Sequence, residues 1–155
     1  MENKLLQIKA AIVAALAVVG AFLGWKGILA LAWVLVMCID YITGSAAACK
    51  SGEWSSKVAR EGIWHKCGMI VVVATAFVVD VIMSVSIPNI PLLNISWPDP
   101  LCPLILTWYI FTEVGSIIEN AGKMGAPIPA FFVSIMKAGF NVVNKAVEEG
   151  TKKNE

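Results

Sequence analysis

Charged side chains are scarce in this sequence of 155 residues. They make up 15% of it, whereas soluble domains carry about 25%. Hydrophobic residues make up 58%, and the mean hydropathy is +0.76. So few charges cannot cover the surface of a soluble domain with this much apolar sequence. The composition therefore indicates a single domain that has the lipid bilayer as its solvent.

An excess of basic residues is also missing. The chain has 12 Lys and Arg and 11 Asp and Glu, which gives a net charge of +1. The basic residues are scattered along the sequence and form no stripe. Because nucleic-acid binding depends on a clustered basic surface, the sequence predicts no nucleic-acid partner.

Histidine and cysteine are too few for most catalytic or metal centres. The lone His65 lies near one cysteine, and this pair cannot complete a metal site. Ser116 has no intramembrane histidine to activate it, and Asp40 has no second carboxylate on its helix to hold a metal for phosphate chemistry. We therefore expect no enzyme, no catalytic residue, no metal and no cofactor. The cysteines, which we expect to be reduced or lipid-facing, are Cys38, Cys49, Cys67 and Cys102.

Four apolar stretches are long enough, or nearly so, to cross a membrane. A bilayer core of about 30 Å needs about 20 mainly apolar helical residues. The stretches are Leu5 to Leu23, Gly27 to Ala47, Lys66 to Ile87 and Leu101 to Gly122. The residues between the first two, Gly24 to Gly27, predict a short interfacial turn and hence a helical hairpin.

The distribution of Lys and Arg predicts the orientation of these spans. The second connection is rich in basic residues, whereas the third, Pro88 to Pro103, contains none and should be an irregular outer loop. Lysines also lie at both ends of the chain, so we expect both termini in the cytoplasm. The residues of the predicted cytoplasmic basic loop are Lys50, Lys57, Arg60 and Lys66.

The fold predicted from these patterns is all-α, with about four transmembrane helices. Three spans are the alternative, with the first segment on the membrane surface. The transmembrane domain covers residues 1–126, and residues 127–155 form an amphipathic helix followed by a disordered tail from Glu148. That helix is predicted either to lie in the membrane interface or to pack on its own or a neighbouring subunit.

Acidic side chains stand out within the apolar spans, where an ionisable group is costly and therefore a candidate functional residue. Asp40 and Glu113 are each roughly 18–20 Å from the outer end of their helices, and Asp80 roughly 10 Å, at about 1.5 Å per residue. No Lys or Arg is expected at matching depth. The acids are therefore predicted to be protonated, hydrogen-bonded, or in contact with water. The candidate intramembrane acids are Asp40, Asp80, Glu113 and Glu119.

These acids have a structural explanation as well as a functional one. A hydrogen-bonded carboxyl can join helices within a single chain. Small and polar residues also allow helices to approach closely, either within one subunit or between subunits. The candidates for helix packing or oligomerisation are Gly20, Gly24, Gly44, Ser116 and Asn120.

Three stretches carry a resemblance to a known family. They are DYITG at Asp40 to Gly44, SSKVAREGIWHK at Ser55 to Lys66, and TEVGSIIENAGKMGAPIP at Thr112 to Pro129. In this order and spacing they resemble the phage-lysis and toxin-secretion holins of Gram-positive bacteria and their phages, the group that includes the clostridial toxin-secretion holin. The first span and the outer loop match less well.

The resemblance implies a non-enzymatic protein of the bacterial cytoplasmic membrane, which assembles with copies of itself into a large lesion. Through that lesion an endolysin, or a toxin, would leave the cytoplasm, and an antiholin is a possible regulatory partner. Asp40 and Glu113 would then face the interface or lumen created by assembly. The positions that match the family are Asp40, Gly44, Ser56, Lys57, Gly62, Lys66, Asp80, Glu113, Ser116, Glu119, Asn120, Gly125, Pro127 and Pro129.

Two other functions remain open on sequence grounds. An antiholin of the same family would have the same spans but would delay the lesion instead of forming it. A small selective channel or transporter would use its midmembrane acids to bind a proton or a cation.

Overall fold

The computed structural model describes residues 2–91 and 95–152, and within these ranges all regular structure is helical. The prediction of an all-α protein is confirmed. The helices are α1 (Glu2–Ser51), α2 (Ser56–Ser86), α3 (Leu101–Lys123) and α4 (Ala130–Lys152), with a 3₁₀ turn (Ile87–Asn89) after α2.

Helix α1 is broken at Gly24, where the sequence predicts a turn. Gly24 has φ 62° and ψ −159°, in the left-handed region that glycine adopts without strain. A Cβ on Gly20 would lie 3.3 Å from Cδ1 of Ile28. Residues eight apart in a straight helix are separated by about 12 Å along its axis. The chain therefore bends sharply at Gly24.

Three helical segments are long and apolar enough to cross a membrane: Gly24–Ser51, Ser56–Asn89 and Leu101–Lys123. They correspond to the last three of the four predicted spans. The segment before Gly24 is helical, but many of its side chains lie outside the described residues. A fourth span in that segment stays a prediction.

The prediction of a basic loop from Lys50 to Lys66 is wrong. The connection is only Gly52 to Ser55, and α2 begins at Ser56. Ser55 caps this helix by accepting a hydrogen bond from the Val58 N–H at 3.2 Å. No proline follows to prevent helix formation, so the cap starts α2 earlier than hydropathy suggests. Lys66 consequently lies three turns inside the helix.

Helix α3 lies at the centre of the bundle. It packs against α1, α2 and α4, whereas α1 and α2 scarcely touch each other. The side chains buried between the three spans are Trp33, Met37, Met69, Ala76, Cys102 and Leu106. Much of the apolar surface of α1 and α2 faces outward, for example at Leu35 and Val71. Such a surface suits lipid or another membrane helix.

Helix α4 packs along α3, which is one of the two arrangements that its amphipathic sequence predicts. The Trp108 indole N–H donates to the Asn144 side chain at 2.9 Å, and its ring packs against Phe140. Val143 is buried. The helix continues to Lys152, so the predicted disorder from Glu148 is wrong as far as Lys152; residues 153–155 lie outside the described part.

Replacing Gly139 by alanine is expected to weaken the packing of α4 on α3 by about 1–3 kcal/mol. A Cβ at this position would lie 2.5 Å from Cε1 of Phe111, closer than atoms can approach. Gly115 is the matched control, because it borders the same interface but a Cβ there meets nothing within 4 Å. Unfolding of the purified chain in detergent would measure both variants. Equal stability of Gly139→Ala and Gly115→Ala would contradict this packing.

Candidate functional site

One ammonium group joins two carboxylates at the meeting point of the three spans. Lys66 Nζ on α2 donates to Asp40 Oδ2 on α1 at 2.9 Å and to Glu113 Oε2 on α3 at 2.6 Å. The Lys66 side chain is 14% exposed and that of Glu113 is 4% exposed. Charge-assisted hydrogen bonds of this length are stronger than neutral ones. The cluster therefore links all three helices.

This cluster overturns the prediction that no basic residue reaches the depth of Asp40 and Glu113. Lys66 had been placed in a cytoplasmic loop because it borders the hydropathic stretch. In the structure it belongs to α2, and its long flexible stem brings the charge to the acids. The two carboxylates are held at one depth, as predicted, but they face Lys66 within a single chain.

Asn120 extends the cluster toward the end of α3. Its side-chain amide donates to Asp40 Oδ1 at 3.2 Å and to Thr43 Oγ1 at 3.4 Å. Gly44 lies directly beside this amide, since a Cβ there would be in van der Waals contact with Asn120 Nδ2 at 3.4 Å. Two of the predicted packing residues, Gly44 and Asn120, thus meet within the subunit. Their part in oligomerisation stays a prediction.

A polar crevice borders the cluster between α1 and α2. Its volume is about 200 Å³, and it extends from Asp40 and Lys66 past Ser116 to Trp54 beyond the end of α1. Two carboxylates surround one ammonium at its inner end, so the cluster carries a net formal charge of −1 when all three groups are ionised. A bilayer tolerates such a group where protein or water surrounds it.

Asp80 has a different environment from the other two acids. It is 3% exposed and accepts three hydrogen bonds: from the Trp97 indole N–H at 3.1 Å, from the Leu101 N–H at 3.2 Å, and from the Cys102 N–H at 2.7 Å. Its carboxylate therefore caps the N-terminus of α3 from the neighbouring helix. In this position it fastens the segment between α2 and α3 to α2.

The remaining predicted acid and basic residues lie outside these two clusters. Glu119 is exposed and pairs with Lys123 one turn along α3 at 2.9 Å, and Lys57 lies 3.8 Å from Glu61. Lys50 donates to the Met124 carbonyl and so connects the end of α1 to the end of α3. Arg60 is exposed on the second turn of α2.

Two side chains that bind acids in the structure were not predicted from the sequence to do so. Trp97 was assigned only to the outer loop, yet it binds Asp80. Lys26, expected in the turn at the membrane surface, forms an ion pair at 3.1 Å with Asp99, which lies just before α3. These contacts join residues far apart in the sequence, and no local pattern marks them.

These features define a small multi-helix integral membrane protein whose spans are joined by buried polar contacts. Within the described residues, no group of three His, Cys, Asp or Glu side chains could hold a metal ion. The family model of the bacteriophage holins matches residues 17–139, so the chain belongs to the bacteriophage holin family. The resemblance noted in the sequence is thereby confirmed.

Several curated bacterial proteins are similar to this chain. An uncharacterized protein of Halalkalibacterium halodurans is 37% identical over 106 residues, which cover 68% of this chain and 72% of the relative. An uncharacterized protein of Clostridium perfringens is 33% identical over 99 residues, 64% of this chain and 65% of the relative. One of Listeria innocua is 29% identical over 113 residues, 73% and 72%. No solved structure matches the chain.

Proposed function

We propose that the chain is a holin, which assembles with copies of itself in the bacterial cytoplasmic membrane and opens a lesion. An endolysin, or a toxin, is the proposed passenger that leaves the cytoplasm through it. The family match over residues 17–139 carries this proposal. No catalytic step is proposed for the chain.

The arrangement of the spans is consistent with assembly in a membrane. Large apolar side chains on α1 and α2, such as Val34, Ile42 and Phe77, remain exposed in the single chain. The charged groups at midmembrane depth on α1, α2 and α3, which are Asp40, Lys66 and Glu113, are instead paired within the subunit. These three spans thus present an apolar surface both to lipid and to other copies, and lipid-facing surfaces of this kind associate through packing.

The buried cluster supports a structural function in a single subunit. Asp40, Lys66 and Glu113 hold the three spans in a fixed relation, so copies can associate as preformed units. This interpretation differs from the sequence-based expectation that Asp40 and Glu113 face the interface or lumen created by assembly. In our proposal, Asp40 and Glu113 hold the three spans of each subunit together, and whole subunits then assemble.

Expression of this chain in a bacterium is expected to release both a small dye and a cytosolic reporter enzyme. A protein-sized lesion passes both, whereas a selective channel passes at most the dye. Release is measured in the medium over time, with a variant truncated before α2 as the non-assembling control. Leakage of the dye alone would favour a narrow channel. An absence of any leak would contradict the holin proposal and favour an antiholin, which delayed lysis upon co-expression with a lesion-forming relative would identify.

A further inference from the structure

Helix α4 runs antiparallel to α3 over most of its length. Near the start of α4, Ile128 reaches Gly122; farther along, Phe111 faces Gly139 and Trp108 binds Asn144. Residue numbers therefore rise on α4 as they fall on α3. Because Trp108 lies only two turns after the outer start of α3, the second half of α4 is at the depth of the outer half of the membrane.

Helix α4 has three distinct faces along this path. One face packs on α3 through residues such as Phe140 and Val143. A second face is apolar and exposed, at Phe131, Ile135 and Val142, which are 68%, 61% and 68% exposed. The third face is polar and carries Lys137, Asn141 and Lys145, which are spaced one turn apart, and Glu148 lies on the same face one turn beyond Lys145.

The polar face is the unusual one at this depth. Lys137, Asn141 and Lys145 are exposed and form no hydrogen bond or ion pair with the part of the chain that the structure describes. A charged group facing hydrocarbon is strongly unfavourable. A helix with one lipid-compatible face and one lysine-bearing face is stable beside α3 only where the second face meets water.

We propose, resting on the holin function above, that the polar face of α4 lines the water-filled lesion formed by several copies of this chain. Phe131, Ile135 and Val142 then face lipid or the adjacent copy. Lys137 and Lys145 outnumber Glu148 on this face and give the lumen a net positive charge, so it attracts anions. The end of α4 near Glu149 emerges on the outer side of the membrane, opposite to the side that the lysine distribution predicts.

The first experiment measures ion selectivity in planar bilayers at low salt, where charges act over about 30 Å. Lys137→Glu combined with Lys145→Glu is expected to lower the preference of the lesion for chloride over potassium by roughly twofold or more. The matched control is Lys57→Glu with Arg60→Glu, which makes the same change in charge on an exposed face of α2. The control is expected to keep the parent's selectivity.

The second experiment tests the path of α4 without requiring a lesion. In a chain whose native cysteines are replaced, Glu149→Cys is expected to react with a membrane-impermeant maleimide added to intact cells that still exclude dye. Lys57→Cys, on the cytoplasmic side, is the control and is expected to stay unreactive until the cells are opened. Cysteine labelling also tests the path of α4 when the variant with Lys137→Glu and Lys145→Glu fails to fold.

The outcomes separate this inference from the holin function. Unchanged selectivity of the Lys137 and Lys145 variant overturns the lining of the lesion by α4, although the lesion itself stands. Protection of Glu149→Cys from the external reagent places α4 on the cytoplasmic surface and overturns its membrane crossing. If the parent chain conducts no current, both the holin function and the lining of the lesion by α4 are wrong.

Discussion

Replacing Lys66 by methionine is expected to destabilise the helix bundle by about 3–5 kcal/mol, because it leaves two buried carboxylates without their shared cation. Methionine preserves the length and helix propensity of the side chain, so the change removes charge and three N–H donors with little loss of packing. Asp40 and Glu113 come from different helices, so the loss affects the contacts between all three spans. Denaturant unfolding of the purified chain in detergent would measure it.

Matched variants separate the cluster from a general effect of removing a lysine. Lys57→Met removes an equal charge from α2, but the Lys57 side chain is 80% exposed, and we expect a change within about 0.5 kcal/mol. Adding Asp40→Asn and Glu113→Gln to Lys66→Met removes the unpaired charges and is expected to restore much of the stability. A Lys66→Met chain as stable as the parent would show that the ion cluster does not hold the spans together.

The second large effect is expected from Asp80→Ala, which should cost about 2–4 kcal/mol, from a lost helix cap and unsatisfied buried N–H groups. The Leu101 and Cys102 N–H groups would lose their acceptor, and the Trp97 indole would be released. We expect the first turn of α3 to open and the segment between α2 and α3 to loosen. Amide hydrogen exchange at Leu101, Cys102 and Leu104, compared with the middle of α3, would locate the effect.

Asp99→Asn is the control for this prediction, because Asp99 is also an acid just before α3 but pairs with Lys26 at a partly exposed site, and asparagine tolerates its φ of 49°. Exposed ion pairs contribute about 0–1 kcal/mol, so its loss should be small. Asp80→Asn is expected to fall between the two, since its amide oxygen still accepts one of the hydrogen bonds. Equal protection of the start of α3 in Asp80→Ala and the parent would exclude the capping function.

These expectations also bear on function. If the bundle assembles as a preformed unit, destabilising the Lys66 cluster should reduce release of the reporter enzyme in proportion to the loss of folded chain. Lys66→Met would then release less reporter enzyme than the variant that also carries Asp40→Asn and Glu113→Gln, because it is the less stable of the two. The release would stay at the parent's level in Lys57→Met.

The amino-acid sequence is sufficient to predict the membrane class, the helical fold and the approximate positions of the last three spans. Runs of apolar residues of about 20 are sufficient for this, because a bilayer permits few structures other than a helix whose backbone is paired internally. The family could also be predicted, from the order of motifs such as DYITG at Asp40 to Gly44. The break at Gly24 followed from its local chemistry, a glycine beside interfacial residues.

The tertiary structure alone decided what each buried charge does. Hydropathy places Lys66 at the edge of a span, but its position in α2 and its flexible side chain deliver it to Asp40 and Glu113. Likewise, Asp80 became a cap only because the chain returns to it at Leu101. Ion pairs and caps between helices depend on which helix faces pack together. The residue periodicity of one helix does not indicate which face of another helix it will contact, so these contacts could not be predicted. The path of α4 along α3 was settled for the same reason, by the contact of Trp108 with Asn144.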